Sequence, residues 1–328
     1  MNLYEQQARN RRRTWLVMVV FVGLVLLLGL LFDAASYAAE GLFVPVGTIV
    51  ALMYSGSTAA YSYFKGDRAV LASTRAVDLA SAMAADPSRP AYRQLDNVID
   101  EMAIASGLPR PAVYIVPDRD PNAFATGRDP GHAAIAVTEG LLDTLSREQL
   151  QGVVAHEMSH VRNFDIRLMT IVAALVGAVA LLADWSARGW RYGAFGGSAR
   201  PSRSGRGKGE GGATALLLLA VWLVAIVLAP LVARLLAMMV SRQREFLADA
   251  SAAELTRNPG ALADALEAIE SRVEPTTAIH QGSAQLCIAD PLGRTVNEEH
   301  GRWADLFATH PPMHERIDAL RAMAFEKR

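Results

Sequence analysis

One cysteine, Cys287, stands among 328 residues, which excludes an intramolecular disulfide and any cysteine-rich metal site. A metal in this chain has to be held by histidine and carboxylate. Net charge is also nearly absent, at −1 from 32 Lys and Arg against 33 Asp and Glu. Bulk charge therefore gives no reason to expect nucleic acid as a partner. Aromatic residues are scarce at 7%, so the 52% hydrophobic content and the mean hydropathy of +0.19 come from aliphatic side chains. Cys287 lies in the apolar run Leu286-Cys287-Ile288 and reads as a small core residue rather than a nucleophile. The length allows one large or two modest domains with a substantial core.

The aliphatic excess is concentrated in four runs long enough to cross or nearly cross a bilayer, at residues 14–32, 41–61, 166–183 and 214–240. Arg9, Arg11, Arg12 and Arg13 precede the first, which places the amino terminus in the cytoplasm. Ser36-Tyr37-Ala38 offers a cleavage pattern for a signal peptide. The apolar core is long for that purpose and a second run follows, so residues 1–64 read as an uncleaved transmembrane hairpin. Lys65, Asp67 and Arg68 mark the return to the cytoplasm. Residues 185–212 are rich in Gly and Ser, carry several Arg, and read as a flexible basic loop. That loop falls on the outer side if both flanking runs cross, against the positive-inside tendency. Either it is an exception, or the pair of helices does not fully cross.

Between the runs, residues 70–107 read as helical and Ala-rich, broken at Asp86-Pro87-Ser88-Arg89-Pro90. Two β-branched runs follow at residues 112–116 and 133–137. Between them Asn122, Ala123, Phe124, Ala125, Thr126 and Gly127 form a third candidate strand, giving a small sheet. A short helix is expected over residues 138–145. Ser146 with Gln149 three residues on is a capping-box pattern for the next helix.

That next helix carries His156-Glu157-Met158-Ser159-His160. Residues four apart share a helix face, so His156 and His160 can offer two imidazole nitrogens to one zinc ion, with Glu157 beside them as a general base. Two surface histidines on an amphipathic helix are the plainer alternative. Farther on, Glu245 is the candidate third ligand, and Asp249 lies on the same face, able to accept a ring N–H from a ligand histidine. Taken alone, Arg242, Arg244, Glu245 and Asp249 read as an ordinary charged face.

HExxH on one helix with ExxxD on another is the arrangement of the gluzincin metallopeptidases. The chain resembles one membrane branch of them, the HtpX-like endopeptidases, relatives of the CAAX prenyl proteases. The resemblance covers the N-terminal hairpin, NAFATG, TEGLLDTLSREQLQGVVAHEMSHVRNFD, SRQREFLADASAA and ATHPPMHERIDAL. It implies that His156, His160 and Glu245 bind one Zn2+ per chain, that Glu157 is general base and acid, and that substrate lies along residues 122–127. It also places Thr309-His310-Pro311-Pro312 at the active site, where His310 is a catalytic candidate. His310 reads either as a donor to the developing oxyanion or as part of a helix-entry turn.

The expected architecture is a mainly α membrane protein with about four transmembrane helices and a cytoplasmic zincin-like α+β domain containing a small sheet. Its divisions are a transmembrane hairpin at 1–64, a first protease part at 65–165, a transmembrane pair at 166–240 and a second protease part at 241–328. The resemblance implies a zinc endopeptidase of the bacterial cytoplasmic membrane, with its active site facing the cytoplasm. It further implies polypeptide substrates, damaged or misfolded membrane proteins, and a role in quality control under stress. A processing protease dedicated to one substrate class is the nearest rival. A non-catalytic membrane chaperone is a rival of another kind, which has no need of Glu157 beside a metal.

Overall fold

Two long helices open the chain, α1 (Leu3–Glu40) and α2 (Val46–Ser73), and they pack against each other. Asp33 of α1 supplies the cap that α2 lacks in its own sequence. Its carboxylate accepts the backbone N–H groups of Gly47 and Thr48 at 2.7 and 2.8 Å and the Thr48 hydroxyl at 2.6 Å. Donors that a helix start leaves unpaired are thereby satisfied across the hairpin. The computed structural model describes residues 3–41, 44–191, 243–272, 274–291 and 311–325.

A four-stranded sheet follows, built from β1 (Val77–Asp78), β2 (Ala112–Val116), β3 (Ala123–Gly127) and β4 (Ala133–Thr138) in the order β1-β2-β4-β3. The β2–β4 pair is parallel and the other two pairs are antiparallel. Helices α3 (Leu79–Ala85) and α4 (Pro90–Ser106) lie between β1 and β2. Alternation along β4 shows why its sequence reads as one apolar run: Ala133, Ile135 and Val137 enter the main core, while Ala134 and Ala136 enter a second cluster with Phe124, Met169 and Cys287. A strand covered on both faces has no polar side to show. Cys287 is a buried core residue, as expected.

Thr138 caps α5 (Glu139–Thr144), and Ser146 with Gln149 forms the expected capping box of α6 (Arg147–Arg162). Helix α6 packs against α4, β3, α8 (Gln243–Thr256) and α9 (Pro259–Ser271). The approach of α9 is close: a Cβ on Gly152 would stand 3.0 Å from Leu262 Cα. The chain then turns through 89° into α7 (Asp165–Arg191), with Phe164 at the corner in the left-handed region, φ 58°. That conformation is uncommon for an aromatic residue and holds only where packing on both sides fixes it. The remaining elements are the single turn α10 (Gln281–Ala284) and α11 (Met313–Phe325), which packs on α9 and α8.

The expectation of four spans is corrected among the described residues. One helix, α1, is long and apolar enough by itself to cross a membrane, over Gln7–Ala38, whose most apolar 18-residue stretch has a mean hydropathy of 3.0. Helix α2 falls short because Thr48, Ser55, Ser57, Thr58 and Ser62 dilute its apolar residues. The run 166–183 is helical, but its first turns are buried: Leu168, Ile171, Val172 and Leu175 pack on Val17, Met18 and Phe21 of α1. It passes only jointly with α6, as a bent pair. Residues 214–240 and the basic loop from residue 192 onward lie outside the described residues. Strand β1 was not foreseen in the stretch expected to be helical, and α2 runs past residue 64 without a break.

Gly140 offers a check on this packing. Its N–H donates to Asp118 O at 2.9 Å, and a Cβ there would stand 1.9 Å from Arg119 O, a backbone atom that cannot rotate away. Gly140→Ala is expected to destabilise the protein by about 1–3 kcal/mol, read as a lowered melting temperature in detergent. An unchanged melting temperature would contradict the described packing.

Candidate metal centre

Helix α6 brings His156 and His160 to one face, and α8 brings Glu245 opposite them. The two Nε2 atoms stand 3.2 Å apart, and the Glu245 carboxylate oxygens stand 3.7 Å from each. One donor atom from each of the three lies within 4.8 Å of the others, and all three residues are buried. Ligands about 2.0–2.1 Å from a tetrahedral zinc ion sit roughly 3.3 Å from one another, so this spacing fits.

The outer nitrogens explain why the inner ones face one another. His156 Nδ1 lies 2.9 Å from Asp249 Oδ1, and His160 Nδ1 lies 3.3 Å from Asp165 Oδ2. The Asp165 carboxylate favours the ring proton of His160 on Nδ1, the Asp249 carboxylate stands beside Nδ1 of His156 without an aligned hydrogen bond, and in both rings Nε2 faces inward. Two lone pairs at 3.2 Å beside a carboxylate repel unless a proton or a metal cation lies between them.

Charge counting gives the same answer. Glu157, Asp165, Glu245 and Asp249 are all buried, and the guanidinium groups of Arg244 and Arg316 are buried with them. Among the described residues, four buried acids against two buried arginines leave an excess that one divalent ion would balance. The donor set therefore fits a metal such as zinc, with imidazole and carboxylate ligands and no sulfur.

Arg316 of α11 closes the cluster, and sequence reasoning assigned it no role. Its Nε and Nη2 bind Asp249 at 2.9 and 2.8 Å, its Nη1 donates to Ile288 O at 2.9 Å, and Nη1 lies 3.7 Å from Glu245. The forked pair fixes the Asp249 plane that in turn fixes His156. Asp165 was also unassigned. Its Oδ1 accepts Asn10 Nδ2 from α1 at 2.6 Å and lies 3.4 Å from Arg244 Nη1. No local pattern marks either residue; the only hint was a cation in the ATHPPMHERIDAL segment and an acid just after the HExxH helix.

Glu157 differs from the other acids, since neither of its carboxylate oxygens has a hydrogen-bond partner although the residue is buried. Burial, with the Glu245 charge, pushes it up to about 7 against the opposing influence of His160, the Ala125 backbone and Arg316. His160 moves the other way from what burial dictates. Desolvation disfavours its imidazolium, but the Asp165 hydrogen bond and the Glu245, Asp165 and Glu157 charges outweigh it and raise it to about 9. Burial, with Arg316 and His160, lowers His156. For Asp249, burial is outweighed by Arg316 and His156, and the group is held below the usual carboxylate range.

The expected third strand is present over Ala123–Gly127 and lies at the edge of the sheet, but much of its outer edge is taken. Ile288 N–H donates to Ala123 O at 2.9 Å, and Gly127 N–H donates to Thr170 Oγ1 at 2.9 Å. The Asn122 amide donates to Ala289 O at 2.9 Å and accepts its N–H at 3.4 Å. By the alternation of an antiparallel pair, Ala125 turns its N–H and C=O outward between these two occupied positions. Phe124 and Thr126 are buried, and the Thr126 hydroxyl meets that of Thr170 at 2.9 Å. His310 lies outside the described residues.

The opposed shifts can be read directly in the metal-free protein. His160 is raised above its ordinary 6.5, so its imidazolium stabilises the fold below that value, and this contribution is lost as pH rises through about 9. Histidine-labelled NMR after chelation is expected to show His160 titrating near 9 and His156 below 6.5, with Asp165→Asn lowering the former by about a unit or more. Two histidines titrating together near 6.5 would contradict the described electrostatics.

Known proteins place this geometry. The profile described as Peptidase family M48 matches residues 91–324, which include all four residues of the HExxH and Glu245 set. A protein named Protease HtpX homolog from Thermoanaerobacter pseudethanolicus is 40% identical over 322 residues, 98% of each chain. One of the same name from Ligilactobacillus salivarius is 41% identical over 321 residues, 98% of this chain and all of its own. Another, from Dictyoglomus turgidum, is 39% identical over 320 residues, 98% of this chain and 94% of its own. With three side chains able to hold a metal converging beside a buried glutamate and likeness running the length of the chain, this protein belongs to peptidase family M48.

Proposed function

We propose that this peptidase is a membrane-integrated zinc endopeptidase that hydrolyses peptide bonds of misfolded or damaged membrane proteins at the cytoplasmic face. The observation that carries the reading is Glu157: a buried carboxyl with unpartnered oxygens, tuned to about 7, next to three converging ligands. A general base works best with a pKa near the working pH. His156, His160 and Glu245 hold the zinc ion, while Asp249 and Asp165 set the tautomers of the two histidines. When bound, the ion supplies an activated water at neutral pH and polarises the scissile carbonyl. Glu157 takes the proton of the attacking water and delivers it to the leaving amine.

Substrate recognition is assigned to the edge of β3. The outward N–H and C=O of Ala125 lie on the Glu157 side and suit an extended peptide, whose main chain supplies the affinity. Recognition of main chain favours varied sequences over a single processing site. Pairing beyond Ala125 requires Ile288 and Asn122 at one end, or Thr170 at the other, to release the edge.

The membrane part rests on exposed apolar side chains. The large exposed hydrophobics cluster on α1 and α2, among them Leu27, Leu30, Ile49, Leu52 and Phe64, whereas elsewhere among the described residues only Val44 in the turn between them, Val77, Ile104 and Leu247 are so placed. Lipid is the medium that tolerates such a surface. We assign a bilayer span to residues 14–32, with α2 packed beside it in the same medium. Asn10 is adjacent to the Arg11–Arg13 flank and touches Asp165, so the metal lies level with the cytoplasmic end of α1. The 89° corner then lays the metal helix along the membrane surface if α7 runs across the bilayer.

The test is cleavage of casein or an unfolded membrane protein by the detergent-purified, zinc-loaded chain. Glu157→Gln is expected to cut at least about a hundredfold more slowly, and a chelator to stop the wild type. Equal cleavage by both proteins, or cleavage indifferent to the chelator, would overturn the reading.

A further inference from the structure

Helix α1 does more than anchor the chain. Its first turns dock on the corner between α6 and α7 through three side-chain hydrogen bonds. Gln7 Nε2 donates to Arg162 O at 3.2 Å; Asn10 Nδ2 donates to Asn163 O at 3.1 Å and to Asp165 Oδ1 at 2.6 Å. Asn10 is 2% exposed, and the next turn is satisfied locally, with Thr14 Oγ1 donating to Asn10 O at 2.9 Å. Both protons of the Asn10 amide are thus used across the helix interface.

The second of these contacts reaches the metal ligands. Asp165 spends Oδ2 on His160 and Oδ1 on Asn10, with Arg244 a longer neighbour of Oδ1 at 3.4 Å. Without Asn10, the nearest remaining partner of Oδ1 among the described residues is that guanidinium, and the carboxylate is free to rotate toward it and away from the His160 ring. An amide is suited to this position because it holds Oδ1 without bringing in a full positive charge that would compete with His160 for Asp165.

We propose that Asn10 is a positioning residue of the metal centre, acting through Asp165 on the orientation of His160, so that the N-terminal membrane helix is part of the metal-binding unit. This rests on the metal-centre reading, but it fails separately from it. Groups behind a ligand histidine alter metal affinity by 10- to 100-fold, and Asn10 stands one hydrogen bond farther out.

The experiment is a competitive zinc titration of the full-length, metal-free chain in detergent, against a chromogenic chelator, which needs no substrate. Asn10→Leu keeps the branched side-chain shape and removes the donor; Asn10→Ala serves the same comparison if the leucine variant does not fold. Gln7→Ala breaks the neighbouring contact to Arg162 O without touching Asp165. The expected result is a roughly tenfold weaker zinc affinity for the Asn10 variant, with an altered visible spectrum of its cobalt form, and Gln7→Ala within about twofold of wild type. Wild-type affinity in the Asn10 variant overturns the proposal. So does an equal loss in Gln7→Ala, which would assign the effect to helix docking alone. A wild-type chain that binds no zinc overturns the metal reading itself.

Discussion

Four buried carboxylates set against two buried guanidinium groups are the constraint on which the rest of this structure turns. Removing ions from water is expensive, and the expense is met only when each charge has a close, well-aligned partner. Arg316 meets it for Asp249 with a forked pair, and Asn10 with Arg244 meets it for Asp165. Glu245 stands 3.7 Å from Arg316 Nη1 and from the two Nε2 atoms, and Glu157 is the acid whose oxygens accept no hydrogen bond. A divalent ion held by Glu245 and the two Nε2 atoms would offset the remaining negative charge, and the same charge accounts for the proton affinity of His160 when no metal is present.

The fold exists to bring these charges together from distant parts of the chain. Residues 10, 156, 165, 245, 249 and 316 belong to five helices, and the sheet supplies the floor on which α6 rests. Small side chains make the closeness possible. Alanine recurs at positions 134, 136, 155, 248 and 252, and Gly152 lets α9 approach the metal helix. The left-handed turn at Phe164 then aims α7 away while leaving Asp165 beside His160. One corner thus serves both as the end of the metal helix and as the seat of the carboxylate that orients its second ligand.

Local chemistry was legible in the sequence. The i,i+4 spacing of His156 and His160, the capping box at Ser146 and the apolar runs of β2 and β4 each express a rule acting over a few residues, and each is present. What escaped was set by pairing between remote segments. Strand β1 is two residues long and exists only through its register with Tyr114 and Ile115. Arg316 reaches Asp249 across 67 residues, and Asn10 reaches Asp165 across 155. The strand at residues 122–127 was legible, but nothing in its sequence could show that it lies at the sheet edge with Ile288 and Thr170 already occupying part of it. Hydropathy failed in another way, by treating residues 166–183 as lipid-facing when their first turns serve as core.

The central claim is that the charge-deficient centre is a two-histidine, one-glutamate site for a single zinc ion. X-ray absorption at the zinc edge, on the full chain loaded with one equivalent, addresses it most directly. The expected shell is nitrogen and oxygen only, at about 2.0–2.1 Å, with outer scattering from two imidazole rings that falls to one ring in His160→Ala. A shell containing one imidazole or none in the wild type, or one unchanged by loss of His160, would contradict it.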